Sequence, residues 1–369
     1  MNEKKKDVLL SIGASLLCIV IGLLVGFIIL CCINSENAWD GFIRIIKGGF
    51  YLKPKGIGSE ISQAAPLIMT GLSVAFAFKT GLFNIGAAGQ YTVGVLGALY
   101  FAIILQMPWY VCLLAAMVCG AIWGAVPGLF KAYFNVNEVI TSIMFNWIGL
   151  YLVNELMYNT IKGMYDQKTT RTYKLSSVSP SSVIPDMGLN SIFRTTSTTI
   201  AIFIAIAVAI IMYIILNKTT FGYELKACGF NKDAAKYAGI NEKRNIVLSM
   251  TISGALAGIG AGLYYLSGAA EWNPQVATAL PAIGFNGIPV ALLALSNPIG
   301  VVFAALFVAH ISVGGAYLPT KYFQPEIADF IVAVIIYLCA FVMLFKSVVL
   351  NLIQKKHKKA EKEGKEETK

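Results

Sequence analysis

The sequence predicts an all-α fold, a polytopic transmembrane helix bundle of about ten spans with both termini cytoplasmic. Three observations predict it. Apolar residues fill 57% of the 369 positions and charged residues only 13%. A soluble domain carries about a quarter charged residues, so this chain has too little polar surface to cover itself in water. The apolar residues fall in runs of roughly 20, the length that crosses a hydrocarbon core. Lysine and arginine gather at the two ends and in alternate loops.

The tail 1–7 carries Lys4, Lys5 and Lys6, and the first expected span is 8–33. That run is too long for a signal-peptide core and lacks a small-residue cleavage pattern. Leu30 stands before Cys31, where a lipoprotein cysteine would need a small residue, so the run is expected to remain as a span. Further spans are expected at 60–78, 86–105, 109–130, 138–158, 199–216, 246–267, 277–296, 298–318 and 325–347. Pro281, Pro289 and Pro298 interrupt the eighth and ninth, a pattern tolerated where backbone is buried in protein or lines a cavity. The transmembrane domain thus runs 8–347 and is followed by a basic, disordered cytoplasmic tail, 348–369.

Placing the N-terminus inside puts 19 of the 29 Lys and Arg on the inner side and 10 on the outer. This follows the positive-inside rule and makes 161–198, rich in Ser, Thr and Pro, an irregular extracellular cap. The loop 217–245 falls inside. The net charge of +10 resides largely in the two ends, so it orients the chain in a membrane rather than forming a nucleic-acid face.

Glycines recur four apart in two spans, at Gly120, Gly124 and Gly128 and at Gly254, Gly258 and Gly262. Residues at that spacing share a helix face and let a second helix approach closely. The ladders suit either a sliding seam or ordinary tight packing.

Chemistry is sparse. No G-x-x-x-x-G-K-[ST] loop, H-E-x-x-H or G-x-S-x-G is present, so no catalytic residue and no metal ligand is assigned. The seven cysteines lie mostly in apolar runs and read as small helix residues. His310 reads as a helix-packing residue. Glu138 and Glu155 bracket the fifth span and Asp329 lies near the start of the last, which is too few ionisable groups for a buried proton relay.

Two segments concentrate the polar residues that remain. The first is GLFNIGAAGQ at 81–90, where amides and glycines lie between two apolar runs. Gly permits a sharp backbone, and Asn and Gln supply paired donors and acceptors, which suits a broken helix. The second is 219–240, an amphipathic stretch in which Gly229 and Asn231 suit a turn between two short helices. It would fit a cleft on a partner or rest on lipid headgroups.

The GLFNIGAAGQ segment resembles the signature of the nucleoside and simple-sugar branch of ATP-driven importer permeases, which also includes branched-chain amino-acid permeases. Asn137-Glu138-Val139-Ile140, running on to Asn146 and Asn154, resembles that family's entrance to the fifth span. TTFGYELKACGFNKDAAKYAGI at 219–240 resembles its cytoplasmic coupling loop, and GALAGIGAG and GFNGIPVALLALSNPIG also fit. Residue 88 is often acidic in the family and is Ala88 here.

The resemblance implies the longer permease subunit of a bacterial nucleoside importer of the guanosine type, a multi-pass protein of the plasma membrane. It implies an ATPase subunit that holds ATP and Mg, a second and shorter permease, and an extracellular substrate-binding lipoprotein. No cofactor is expected in this chain. It points to Asn84, Gln90, Asn146 and Asn286 on the nucleoside path, although helix-to-helix hydrogen bonding would also use such amides. It points to Glu224, Ala227, Gly229, Asn231, Ala234, Ala235 and Gly239 for coupling to the ATPase. The alternatives are a sister-branch importer of a simple sugar such as ribose and an ion-coupled carrier. A polytopic membrane enzyme would need clustered His, Asp or Glu at one face, which the sequence lacks.

Overall fold

The computed structural model describes residues 3–268, 270–274 and 279–324, with eight further positions between 327 and 341. Apart from those eight, the expected last span 325–347 lies outside the described residues, as do Asp329 and the tail 348–369. The chain packs as two units, 1–44 with 318–369, and 45–317.

In the first unit, α1 (Glu3–Ile33) is one continuous helix over the expected first span. Asn34 turns the chain by accepting a hydrogen bond from the Asn37 backbone N–H at 3.1 Å. The helix α2 (Ala38–Lys47) begins there, and Trp39 and Phe42 pack their rings on Phe27.

The second unit holds α3 (Lys55–Lys79), α4 (Ala87–Leu99), α5 (Trp109–Phe134), α6 (Glu138–Glu155) and α7 (Ala201–Lys218). It continues with α8 (Thr220–Phe230), α9 (Lys232–Tyr237), α10 (Glu242–Tyr265), α11 (Ala282–Leu293) and α12 (Pro298–Ala316). A π-helical turn extends α4 through Ile104 and another extends α6 through Thr160. With these extensions, seven helices among the described residues are long and apolar enough to cross a membrane: α3, α4, α5, α6, α7, α10 and α12.

The expected eighth span, 277–296, takes a different form. Residues 277 and 278 lie outside the described positions, and α11 is helical for only 12 residues. At 1.5 Å per residue it reaches about 18 Å, short of a ~30 Å hydrocarbon core. Leu295 and Ser296 then turn left-handed, with φ of 51° and 54°. Asn297 caps α12, its Oδ1 accepting from the backbone N–H of Ile299 and Gly300. The two half-elements meet at this tight turn.

The glycine ladders face each other. α5 and α10 run antiparallel, and a Cβ on Gly124 would sit 2.9 Å from the Cα of Gly254. A Cβ on Gly120 would meet Gly258 in the same way at 2.9 Å, and one on Gly94 of α4 would lie 2.7 Å from the Gly258 Cα. Helix backbones are therefore in direct contact along this seam.

The segment 161–198 carries a two-stranded ribbon, β1 (Tyr165–Asp166) and β2 (Arg171–Thr172), and several short helical turns. It is tied to the bundle. Thr198 Oγ1 donates to the Gly58 carbonyl at 3.0 Å, Ser182 Oγ donates to the Met107 carbonyl, and Ile184 N–H donates to Leu266 O at 2.9 Å. It covers the end of the bundle where α3 begins, and α8 and α9 lie at the end where α3 finishes.

The start of α3 adds an ionisable residue that the sequence reading passed over. Glu60 Oε2 lies 3.1 Å from His310 Nδ1, and His310 Nε2 lies 2.8 Å from the Ile46 carbonyl. His310 thus bridges three segments of this unit rather than filling space between helices.

Candidate functional site

The segment between α3 and α4 is held by amides. Gly81 takes φ of +72°, which ends α3, and the chain crosses to the start of α4. Asn84 Nδ2 donates to Gln90 Oε1 at 2.8 Å, and Gln90 Nε2 returns a bond to Asn84 Oδ1 at 3.0 Å. Asn84 Nδ2 also donates to Ser73 Oγ of α3 at 3.0 Å. Both amides are fully buried. The reciprocal pair closes a ring that no solvent can loosen.

Asn146 on α6 locks the same loop from outside. Its Oδ1 accepts from the Gly89 backbone N–H at 2.8 Å, and its Nδ2 donates to the Ile85 carbonyl at 3.0 Å. A side chain cannot replace Gly89, because a Cβ there would lie 2.7 Å from the Asn146 Cα. The structure thus joins Asn84, Gln90 and Asn146 in one buried network, with every amide group of Asn84 and Asn146 engaged. Ser142 Oγ, beside Gly86, is buried without a hydrogen-bond partner among the described residues.

Asn286 stands apart. It lies half-buried on α11 and has no hydrogen-bond partner among the described residues. Its helix is pressed onto α4 and α3: a Cβ on Gly284 would strike Ala88, and one on Gly287 would lie 2.6 Å from the Thr70 carbonyl. This contact explains the small residue at 88. Ala88 is fully buried against α11, where an acidic side chain would have no room and no solvent.

Truncating Asn84 to Ala is expected to destabilise the protein by about 3 kcal/mol, because it strands the buried Gln90 amide and Ser73 hydroxyl. Thermal unfolding of the purified protein checks this. The double variant Asn84→Leu, Gln90→Met should lose less than the two single changes summed, since only the Ser73 hydroxyl is then left unpaired.

The second candidate region is the pair α8 and α9. Thr219 caps α8 by accepting from the Gly222 N–H at 3.1 Å. Asn231 ends α8 and caps α9, its Oδ1 accepting from the Ala234 N–H at 2.9 Å. Gly239 takes φ of +82° in open space, which lets the chain turn into α10. Between the two helices runs a concave cleft lined in part by Glu224, Ala227, Asn231, Ala234 and Ala235. Glu224 is anchored from behind, its Oε2 accepting from Asn245 Nδ2 at 3.3 Å.

Two aromatic rings stand out beside the cleft: Phe230 is 91% exposed and Tyr237 is 93% exposed. Phe230 and the exposed Tyr223 were missed in the sequence. Their signal was an aromatic at i and i+7 in an otherwise polar stretch.

Gly229 does not face the cleft. It meets the signature loop: a Cβ there would lie 2.8 Å from the Thr80 carbonyl carbon, and one on Gly81 would lie 2.9 Å from the Gly229 Cα. The same corner reaches two more helices. The Thr80 hydroxyl bonds the Ser249 hydroxyl of α10, and Lys79 Nζ donates to the Leu295 carbonyl at 3.4 Å. Backbone contact thus joins α8 to the loop that carries Asn84, and side chains join that corner to the turn between α11 and α12.

Among the described residues, no group of three or more His, Cys, Asp or Glu could hold a metal ion.

Comparisons with known proteins agree with this architecture. The family model described as "Branched-chain amino acid transport system / permease component" matches residues 57–340. The nucleoside ABC transporter permease protein NupB of Lactococcus lactis subsp. cremoris (strain MG1363) is 36% identical over 378 residues, covering 98% of this chain and 100% of that one. The guanosine ABC transporter permease protein NupP of Bacillus subtilis (strain 168) is 36% identical over 326 residues, covering 87% and 90%. NupQ of the same organism, also named a guanosine ABC transporter permease protein, is 28% identical over 279 residues, covering 71% and 83%. No solved structure matches the chain. With seven membrane-length helices and a family match from 57 to 340, the chain belongs to the permease components of the branched-chain amino acid transport system family.

Proposed function

We propose that this chain is the membrane-spanning permease subunit of an ATP-binding-cassette importer that carries nucleosides, purine nucleosides included, into the cell. The observation that carries the reading is the likeness, at 36% identity over most of both chains, to two permeases named for nucleoside and guanosine transport. The chain sits in the bacterial plasma membrane with about ten spans, both termini cytoplasmic and 161–198 outside.

ATP is hydrolysed on a separate ATPase subunit, which holds ATP and Mg and grips the cleft between α8 and α9. The contacts are Glu224, Ala227, Asn231, Ala234 and Ala235, with Phe230 and Tyr237 as aromatic anchors; exposed rings of this size outside the membrane suit a partner. Gly229 passes the push to the signature loop, and Gly239 gives the segment its turn. A second permease completes the path. NupP and NupQ occur in one organism, and the alignment covers more of NupQ than of this chain, which supports a shorter companion. An extracellular lipoprotein delivers the nucleoside.

Asn84, Gln90 and Asn146 take part in the path by fixing the backbone of its wall. Asn286 offers a free amide to ribose hydroxyls or base edges. The push on α8 shifts the loop and the α11–α12 turn together, and access alternates from outside to inside.

The test is uptake in a strain lacking this gene, with and without complementation. Labelled guanosine, adenosine, uridine, ribose and leucine are compared, with ATP depletion as a control. Restored, ATP-dependent uptake of nucleosides is the expected result. Restored ribose or leucine uptake would move the chain to a sister branch. Uptake driven by an ion gradient in ATPase-free vesicles would overturn the importer class.

A further inference from the structure

We infer that Glu60 and His310 form a proton-held latch at the outer end of the bundle, which fastens α12 to α3 while one proton is shared and releases them when it leaves. The inference rests on the proposed placement of 161–198 outside, and on the importer reading for its effect on uptake. Three observations carry it.

The first is the donor and acceptor inventory of the pair. His310 Nε2 lies 2.8 Å from the Ile46 carbonyl, which only accepts, so Nε2 carries a hydrogen. His310 Nδ1 lies 3.1 Å from Glu60 Oε2. An ionised carboxylate also only accepts, and a neutral ring with its hydrogen on Nε2 presents a bare lone pair at Nδ1. The contact therefore needs one more proton, on Nδ1 or on Oε2. Without it, two acceptors face each other at hydrogen-bond distance. The two side chains are 19% and 15% exposed, so the proton exchanges with water.

The second is that the corner is shaped for this pair. Gly48 takes φ of +47°, and a Cβ on it would strike the His310 ring. A Cβ on Gly49 would strike Glu60 Oε2. The Phe50 ring lies 5.8 Å from the imidazole. α11 and α12 carry no other titratable group, and on α7 Tyr213 and Lys218 lie toward the opposite end of the bundle. Lys47, Lys53 and Lys55 flank the corner and are exposed, with Lys53 Nζ over the Phe50 ring, and Arg194 of the cap is exposed too. None of these four cations forms an ion pair with Glu60 among the described residues. Tyr51 and Tyr317 pack their rings on each other, 5.8 Å apart. The proton is thus held between Glu60 and His310.

The third is what the latch fastens. At the other end of α3, Lys79 Nζ donates at 3.4 Å to the Leu295 carbonyl, in the turn that leads into α12. Between the two ends, a Cβ on Gly71 of α3 would lie 2.9 Å from Val301 Cγ1 of α12. The Glu60–His310 contact completes a pair of helices tied at both ends. The same turns of α3 hold the cap, through Thr198 Oγ1 on the Gly58 carbonyl and Ser62 Oγ on the Ser197 carbonyl at 3.1 Å. Closed, the latch makes α3, α12 and the cap answer together to a push at the inner corner. Open, it frees the outer part of α12. The closed form holds the proton and the open form has released it, so acid favours closure and alkali favours opening.

The experiment compares the wild type with Glu60→Gln, whose amide donates to a neutral Nδ1 and keeps the contact without the extra proton. His310→Phe keeps the ring volume and removes both bonds. Nucleoside uptake in the complemented strain, normalised to permease abundance, is measured from about pH 5.5 to about pH 8.5, where histidine changes charge. The ratio of Glu60→Gln to wild-type uptake is expected to be roughly one in acid and to rise about fivefold in alkali. His310→Phe should stay low throughout, at the level of the alkaline wild type. Thermal unfolding of the purified proteins needs no substrate. The wild type should melt with Glu60→Gln in acid and about 2 °C or more below it in alkali. An uptake ratio and a melting difference that do not change with pH would overturn the proposal. So would His310→Phe taking up nucleoside as well as the wild type does in acid. No uptake by the wild type at any pH would sink the nucleoside reading, and the melting difference alone would then decide the latch.

Discussion

In Gly229→Glu, ATP-driven uptake is expected to fall at least about tenfold while the protein stays in the membrane at normal abundance. The reason is local. Gly229 touches Thr80 and Gly81 backbone to backbone, and even a methyl group would sit 2.8 Å from the Thr80 carbonyl carbon. A glutamate must lift α8 away from the signature loop. Both glycines are open to solvent on their other side, so the helix has somewhere to go and the bundle need not unfold. What is lost is the link from α8 to Thr80, Lys79 and the α11–α12 turn. In the reconstituted transporter, ATP hydrolysis should continue without matching uptake. Normal uptake by the variant would show that this contact transmits nothing.

Gly254→Leu should have the opposite character, with loss of the folded protein itself. A Cβ at Gly254 would overlap the Gly120 backbone and lie 2.9 Å from the Gly124 Cα. Overpacking a core of flexible side chains costs about 1–3 kcal/mol, and here the obstacle is backbone, so a cost of ~3 kcal/mol or more is expected. Neither helix can retreat freely, because Gly258 one turn on is also held against Gly94 of α4. Membrane abundance of the variant, measured by immunoblot alongside Gly188→Leu as a positive-φ glycine with open space around it, checks the prediction. Equal abundance of the Gly254 variant and wild type would mean that the α5–α10 seam is not a fixed contact.

Much of the bundle was legible because a membrane span is written in length and apolar composition, and both survive without knowledge of neighbours. The glycine ladders were legible as faces, but not as partners of one another, since spacing names a face and not what meets it. The broken eighth element was flagged by Pro281, Pro289 and Pro298. Its actual end comes at Leu295 and Ser296, residue types that do not announce a left-handed turn. The amides Asn84, Gln90 and Asn146 were found by type, whereas their mutual bonding was hidden because it joins residues from 6 to 61 positions apart. Glu60 escaped notice because its partner His310 lies 250 positions away. Phe230 escaped because its seven-residue spacing from Tyr223 and Tyr237 runs across the break between two short helices, where no single helix face carries it.

The turn between α11 and α12 has a consequence for evolution and engineering. Two consecutive residues with side chains hold a backbone shape that glycine takes freely. Each costs of order 1–3 kcal/mol, and the Lys79 ammonium on the Leu295 carbonyl helps to hold the arrangement. A chain selected for durability alone would carry glycine at 295 or 296. Keeping Leu295 and Ser296 makes this corner a loaded spring between two half-helices, easier to release than a relaxed turn would be. Attempts to harden the protein by relaxing that corner would therefore trade away the readiness to change shape that a transporter spends on every cycle.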